Sequence, residues 1–265
     1  MISNNKCLFV IGAQKAGTTW IRNQLFSIKE FSISPIKELH YYSYNENPSG
    51  FNWANKHRIE QFSLTDSNNK IIYDMISAKE KISPEEYLKL LSSEGDGIFA
   101  DFSPEYCLLK EETLEKMMKD FPNSKFVYIL RNPVERAISQ LIMQNIVIYD
   151  LNHLLEIEHI SHVIAQSKYS ILIKKMKASL GRNLLILNFE HISKKPFQVI
   201  NKIFDHVTSE TFLYQESNFN YLNQKIFSNN PDQYYNIERI NSILAPILRD
   251  EVELYKNMEL HNYEF

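Results

Sequence analysis

The sequence predicts an α/β fold: a parallel sheet covered by helices on both faces, three layers in all. Two patterns lead to it. Four short runs, KCLFVI (Lys6–Ile11), GIFAD (Gly97–Asp101), KFVYIL (Lys125–Leu130) and NLLILNF (Asn183–Phe189), are apolar nearly throughout and rich in Ile, Leu, Val and Phe. Strands buried on both faces of a parallel sheet read this way. Segments with helical spacing alternate with these runs along the chain.

The elements follow in order. The first strand meets Gly12 and a short loop, then a helix over Thr18–Ile28. Pro84–Leu91 opens on a proline and two glutamates, a favourable helix start. Helical spacing then marks Glu111–Phe121, Pro133–Val147, Lys168–Leu180 and Pro196–Val207. Near the end Ile237, Ile240, Ile243, Leu244, Ile247 and Leu248 lie on one helical stripe, with Pro246 as the expected kink. The polar stretches Tyr44–Arg58 and Tyr149–Gln166 read as insertions. No repeat, low-complexity tract or linker divides the chain, so one domain over residues 1–265 is expected.

Composition narrows the function. The 265 residues are 44% hydrophobic and 23% charged with a net charge of -3, so a general nucleic-acid binder is not expected and any anion site must be a local cluster. Cys7 and Cys107 lack metal or disulfide spacing and read as two buried thiols in a reducing compartment. Lys6 followed by CLFVIGA resembles a signal peptide, but the apolar run is short and Gln14 and Lys15 belong to the loop that follows. No run approaches the ~18 apolar residues of a membrane span. A cytoplasmic protein without a membrane partner is expected. His159 and His162 have near-helical spacing but no third ligand, so no metal is expected. The sixteen Phe and fifteen Tyr mostly fill the core. Trp53 and the tyrosines around it are either core or the lining of a substrate pocket.

The loop after the first strand, Gly12 to Thr19, reads GAQKAGTT. Against the phosphate-loop pattern G-x-x-x-x-G-K-[ST], its glycine spacing and final threonine match, but Thr18 stands at the lysine position and Lys15 lies inside the loop. Glycines let the backbone curl so that successive N–H groups face inward, and the following helix aims its positive end at the same point. This makes an anion cradle from Gln14, Lys15, Ala16, Gly17, Thr18, Thr19 and Trp20.

A second anion site is written in KFVYILRNPVERAIS. Arg131 ends a strand, Asn132 is the N-cap, Pro133 takes the first helical position and Glu135 completes capping-box spacing. Ser139 returns to nearly the same helix face, so Arg131 and Ser139 converge at the carboxyl edge of the sheet. Two separated anion pockets suit a nucleotide phosphorylated at both its 5′ and 3′ ends.

These residues resemble sulfotransferases that use 3′-phosphoadenosine 5′-phosphosulfate (PAPS). GAQKAGTT is similar to their 5′-phosphosulfate loop and RNPVERAIS to their 3′-phosphate motif. KELHYY (Lys37–Tyr42) resembles the K-E-x-H-[FY]-[FY] stretch of heparan-sulfate-type and bacterial members. Weaker similarity runs through FSPEY (Phe102–Tyr106), NLLILNFEHISKKP (Asn183–Pro196) and LRDEVELYKNM near the end. The resemblance implies a P-loop-type fold, PAPS as donor, PAP as product and no metal. It implies that Lys15 meets the bridging oxygen, that Arg131 and Ser139 hold the 3′-phosphate, and that Glu38 is the general base with His40 beside it. Asp101–Phe102 and Leu141 depart from the family pattern, and Lys225 is the candidate for a late basic loop that closes over the nucleotide.

Stabilisation in such a transfer belongs on the leaving oxygen, which inward amides and a loop lysine offer. Leu39, Tyr41 and Tyr42 are expected to desolvate Glu38 and raise its pKa. His40 is read as either a positioning group or a proton carrier. The acceptor is open among a small polar molecule, a sugar and an oligosaccharide, with the enzyme a monomer or a homodimer. Two rivals stand beside this reading. One is a P-loop kinase with Asp101 on Mg²⁺; the other is a non-catalytic nucleotide-binding protein of the same fold.

Overall fold

The computed structural model describes residues 5–34, 36–50, 82–91, 97–144, 160–209 and 237–260. Five strands, β1 (Cys7–Gly12), β2 (Phe31–Ile33), β3 (Ile98–Asp101), β4 (Ser124–Leu130) and β5 (Leu184–Asn188), form one sheet in the order β2-β3-β1-β4-β5. Every neighbouring pair is parallel. In register, Phe9 lies opposite Asp101 on one side and Phe126 on the other. All six residues of β1 are buried, as the central strand of a doubly covered sheet requires.

The helices are α1 (Thr18–Phe26), α2 (Tyr41–Glu46), α3 (Pro84–Leu91), α4 (Glu111–Asp120), α5 (Pro133–Met143) and α6 (Ile160–Ala165). They continue with α7 (Tyr169–Leu180), α8 (Phe189–Lys194), α9 (Pro196–Thr208), α10 (Ile237–Ile247) and α11 (Arg249–Leu260). α9 packs against β4, β5 and α1, while α7 packs against β5 and α4. The main core centres on β1, where Phe9 stacks on Phe126 with ring centroids 5.3 Å apart. A second cluster joins Val134, Ala137, Ile138, Leu141 and Ile142 of α5 to Ile160 and Val163 of α6 and to Ile240 and Leu244 of α10.

The parallel α/β architecture is the one expected, and the differences are local. β2 has only three residues, FSI, too few to show a pattern of its own. α2 enters the stretch Tyr44–Arg58, read as an insertion, with its last three residues only; Tyr41 and Tyr42 at its start are buried, and the Tyr41 ring stacks on Tyr87 at 4.3 Å. The segment Tyr149–Gln166 likewise ends in α6, whose Ile160 and Val163 enter the second core. The first helix stops at Phe26, two residues before its expected end. Pro246 stands in the last turn of α10, and α11 begins at Arg249. The end of the expected helix Pro133–Val147, together with Trp53, His159 and Lys225, lies outside the described residues.

The strand order decides where a ligand fits. The chain leaves β1 towards β2 on one side of the sheet and leaves β4 towards β5 on the other. The crevice beyond the carboxyl ends of β1 and β4 is therefore the topological switch point, where open α/β sheets bind ligands. Both sequence motifs, the glycine loop and Arg131, sit there.

Candidate active site

β1 ends in a register shift between Val10 and Gly12 that turns the chain out of the sheet. The Ala13 N–H donates to the Ile129 carbonyl at 3.0 Å, tying the loop to β4. Gly17 has φ 92, a left-handed conformation, and packs against α8. A Cβ there would lie 2.6 Å from Ile192 Cδ1 and 3.3 Å from Phe189 Cδ2. Gly17→Ala is expected to destabilise the fold by about 1–3 kcal/mol, combining backbone strain with that clash. Urea unfolding monitored by circular dichroism measures it, and an unchanged midpoint refutes the packing argument.

Three non-glycine residues of the site also have positive φ: Lys15 (67), Glu38 (59) and His40 (50). Such conformations persist where surrounding contacts over-determine them, and they cluster at functional sites. Here the contacts are specific. The Lys15 carbonyl accepts from Arg131 Nη1 at 2.9 Å. The His40 N–H donates to Ser103 Oγ at 3.2 Å, and that hydroxyl donates to Asp101 Oδ1 at 2.9 Å.

Asp101 is 3% exposed, and its other oxygen accepts from Tyr87 Oη at 2.5 Å. Burial pushes its carboxyl up, and the hydroxyls of Tyr87 and Ser103 oppose this. Asp101 thus braces the loop under His40. Its oxygens already have partners, so it is poorly placed to serve a metal-bound nucleotide, as the kinase reading requires. His162, by contrast, pairs with Glu105 at 2.8 Å. Among the described residues no group of three or more His, Cys, Asp or Glu is placed to hold a metal ion.

The loop and the KELHYY segment meet through Lys37. Its Nζ donates to Thr19 Oγ1 at 2.6 Å and pairs with Glu38 Oε1 at 2.9 Å. Glu38 Oε2 in turn lies 3.6 Å from Nε2 of His40, whose ring is fully buried. Burial alone would raise the Glu38 carboxyl. His40 and Lys37 outweigh it and hold the pKa down at about 2. The expected upward shift is therefore corrected: Leu39, Tyr41 and Tyr42 are indeed buried, but the charges beside the carboxyl decide its ionisation. Burial depresses the Lys15 ammonium too, aided by the positive charge of Lys37 and Arg131 and opposed by Glu38. The loop's own Lys15 is thus joined by two cations from other segments, Lys37 and Arg131.

The second motif opens α5 with the expected cap. Asn132 Oδ1 accepts from the N–H groups of Val134 and Glu135 at 3.1 and 3.3 Å, with Pro133 in the first turn of α5. The Glu135 carboxylate does not close a capping box; it lies 3.7 Å from Arg131 Nη2. The Arg131 guanidinium sits 4.6 Å above the Phe189 ring, the same ring that faces Gly17. Ser139 is half-buried in α5. Within the loop, Gln14, Lys15, Gly17 and Thr19 are partly exposed, and Ala16, Thr18 and Trp20 are buried.

Sequence reasoning missed three polar contributors. Lys37 stood inside a quoted motif without a role. Arg136 and Gln140 are both fully buried and reach the loop from α5. Their signal was helical spacing, which puts both residues on the face shared by Pro133 and Ala137.

Comparison with known proteins settles the family. The model of the sulfotransferase family matches residues 8–212. The chain belongs to the sulfotransferase family. No curated protein sequence matches it significantly. Among solved structures, a sulfotransferase from Alicyclobacillus acidocaldarius is 20% identical with a TM-score of 0.62, covering 96% of each chain. The sulfotransferase domain of the Synechococcus PCC 7002 olefin synthase is 14% identical with a TM-score of 0.60, covering 99% of this chain and 97% of that one. The sulfotransferase domain from the curacin biosynthetic pathway is 17% identical with a TM-score of 0.57, covering 99% of both. These likenesses establish a common fold. Family membership makes the protein a transferase of sulfuryl groups. No helix among the described residues is long and apolar enough to cross a membrane.

Proposed function

We propose that this sulfotransferase takes its sulfuryl group from PAPS, passes it to a hydroxyl or amine of a small-molecule or carbohydrate acceptor, and releases PAP. The supporting observation is the convergence of Lys15, Lys37 and Arg131 on the glycine loop, with the ionised carboxylate of Glu38 at its edge. In a chain of net charge -3, such a cluster is what an anionic donor needs.

The donor supplies an activated sulfuryl group joined through oxygen to a phosphate. Residues Gln14 to Trp20 would cradle that end, and Arg131 with Ser139 the 3′-phosphate. Lys15 carries positive charge to the bridging oxygen as its bond to sulfur breaks. Glu38 accepts the acceptor's proton, and His40, fixed through Ser103, keeps the carboxylate aimed. Lys37 lies between donor loop and base, so an anion at Thr19 draws its charge away from Glu38 and makes that carboxylate a better base. The amides and three cations fill the place that Mg²⁺ holds in ATP-dependent transfer. The two free, buried thiols, each pushed up to about 12 by burial, fit a cytoplasmic setting.

Thermal unfolding with separate additions of PAP and ATP-Mg²⁺ tests the donor. PAP at a hundred times its Kd is expected to raise Tm by roughly 5–10 °C, with ATP-Mg²⁺ doing far less. Stabilisation by ATP-Mg²⁺ and none by PAP overturns the reading. A panel of acceptors with labelled PAPS then identifies the substrate.

A further inference from the structure

The guanidinium of Arg136 is fully buried at the base of the glycine loop. Its Nε donates to Ser167 Oγ at 2.7 Å, Nη2 to the Val163 carbonyl, and Nη1 to Gln140 Oε1 at 2.5 Å and the Gln14 carbonyl at 3.4 Å. None of these acceptors is a carboxylate. Glu105, whose field reaches Arg136, is itself engaged by His162 at 2.8 Å and by Gln166 at 2.9 Å. A buried guanidinium costs several kcal/mol of desolvation, and neutral acceptors offset it less well than an anion does.

Gln14 is held a second time. Gln140 accepts from Arg136 through Oε1 and donates through Nε2 to Gln14 Oε1 at 2.7 Å. The neighbouring Lys15 carbonyl is held by Arg131. A trans peptide sets C=O and N–H on opposite sides, so a Gln14 carbonyl drawn towards Arg136 aims the Lys15 N–H the other way. Arg136 also spans from the loop to the Val163 carbonyl of α6, which joins the donor loop to the second core.

We propose that Arg136 and Gln140 are positioning residues of the donor site. They grip Gln14 by its main chain and its side chain, and so set the direction of the Lys15 amide and ammonium. The proposal rests on the PAPS reading above.

Replacing Arg136 itself endangers the fold, so Gln140 is the position to change. Gln140→Glu keeps an oxygen for Arg136 but removes the N–H that reaches Gln14. Calorimetric titration with PAP is expected to show binding about tenfold weaker than wild type, with Tm at or above the wild-type value. Repeated in a Gln14→Ala background, the same change is expected to cost little more, because the side-chain hold that Gln140 provides is already lost while Arg136 keeps the main-chain carbonyl.

Each other outcome counts against the proposal. Unaltered PAP affinity in Gln140→Glu, with or without a change in Tm, assigns a structural role only. A tenfold loss that persists in the Gln14→Ala background traces to the added negative charge rather than to positioning. Wild-type protein that fails to bind PAP removes the donor reading itself, and the proposal with it.

Discussion

Lys15→Ala is expected to lower kcat by about 10²–10³-fold, the range for loss of a preorganised donor to a developing oxyanion. Affinity for PAP should fall much less, because Arg131, Lys37 and the loop amides remain. The split follows from where charge grows: the bridging oxygen is nearly neutral in the ground state and anionic only as the sulfur–oxygen bond breaks. Loss of the side chain leaves the left-handed turn in place, since Arg131 holds the main-chain carbonyl and not the ammonium. Steady-state kinetics at saturating donor, paired with calorimetric PAP binding, separates the two quantities. An unchanged kcat with weakened binding would assign Lys15 to ground-state recognition alone.

Glu38→Gln is expected to cost about 10²–10⁴-fold in kcat, the usual contribution of a positioned base. PAP should bind at least as tightly, because an anion has left a site that takes an anion. The pH dependence has a definite sign. With its carboxyl held at about 2, Glu38 is ionised across the working range and contributes no acid limb there. Lys37→Met removes one of the groups that hold it down, so the carboxyl rises and an acid limb moves up into view. The same depression makes a stability contribution that is present above the ordinary carboxyl range and is lost as pH falls towards about 2. Profiles of kcat/KM against pH for wild type and Lys37→Met test this. Full turnover by Glu38→Gln removes the carboxylate from the mechanism.

The legible parts of the site were those written by local spacing. Gly12 and Gly17 marked a turn after a buried strand; Arg131, Asn132 and Pro133 marked a strand end and a helix start. Each signal acts over a few residues, where backbone sterics and capping dominate. The illegible parts needed contacts distant in sequence. The rival kinase reading puts Asp101 on Mg²⁺, whereas its oxygens are taken by the Ser103 hydroxyl and by that of Tyr87, which comes from elsewhere in the fold. Arg136 drew no reading from the sequence, because its partners Gln14, Val163 and Ser167 lie far from it along the chain. Glu38 was judged by its apolar neighbours in sequence, and His40 together with the Lys37 ammonium reversed the result.

Reading along the chain alone was enough for the parallel α/β class, the strand that carries the glycine loop and the motif that places Arg131 at a second strand's end. Hydrophobic period and turn chemistry are short-range properties, so they survive reading along a line. It took the folded chain to show that Lys37 bridges Thr19 and Glu38, that the Glu38 carboxylate is held strongly ionised, and that a buried arginine holds Gln14. Electrostatic interactions depend on distance through space and on lost water, and neither is set until the chain has folded.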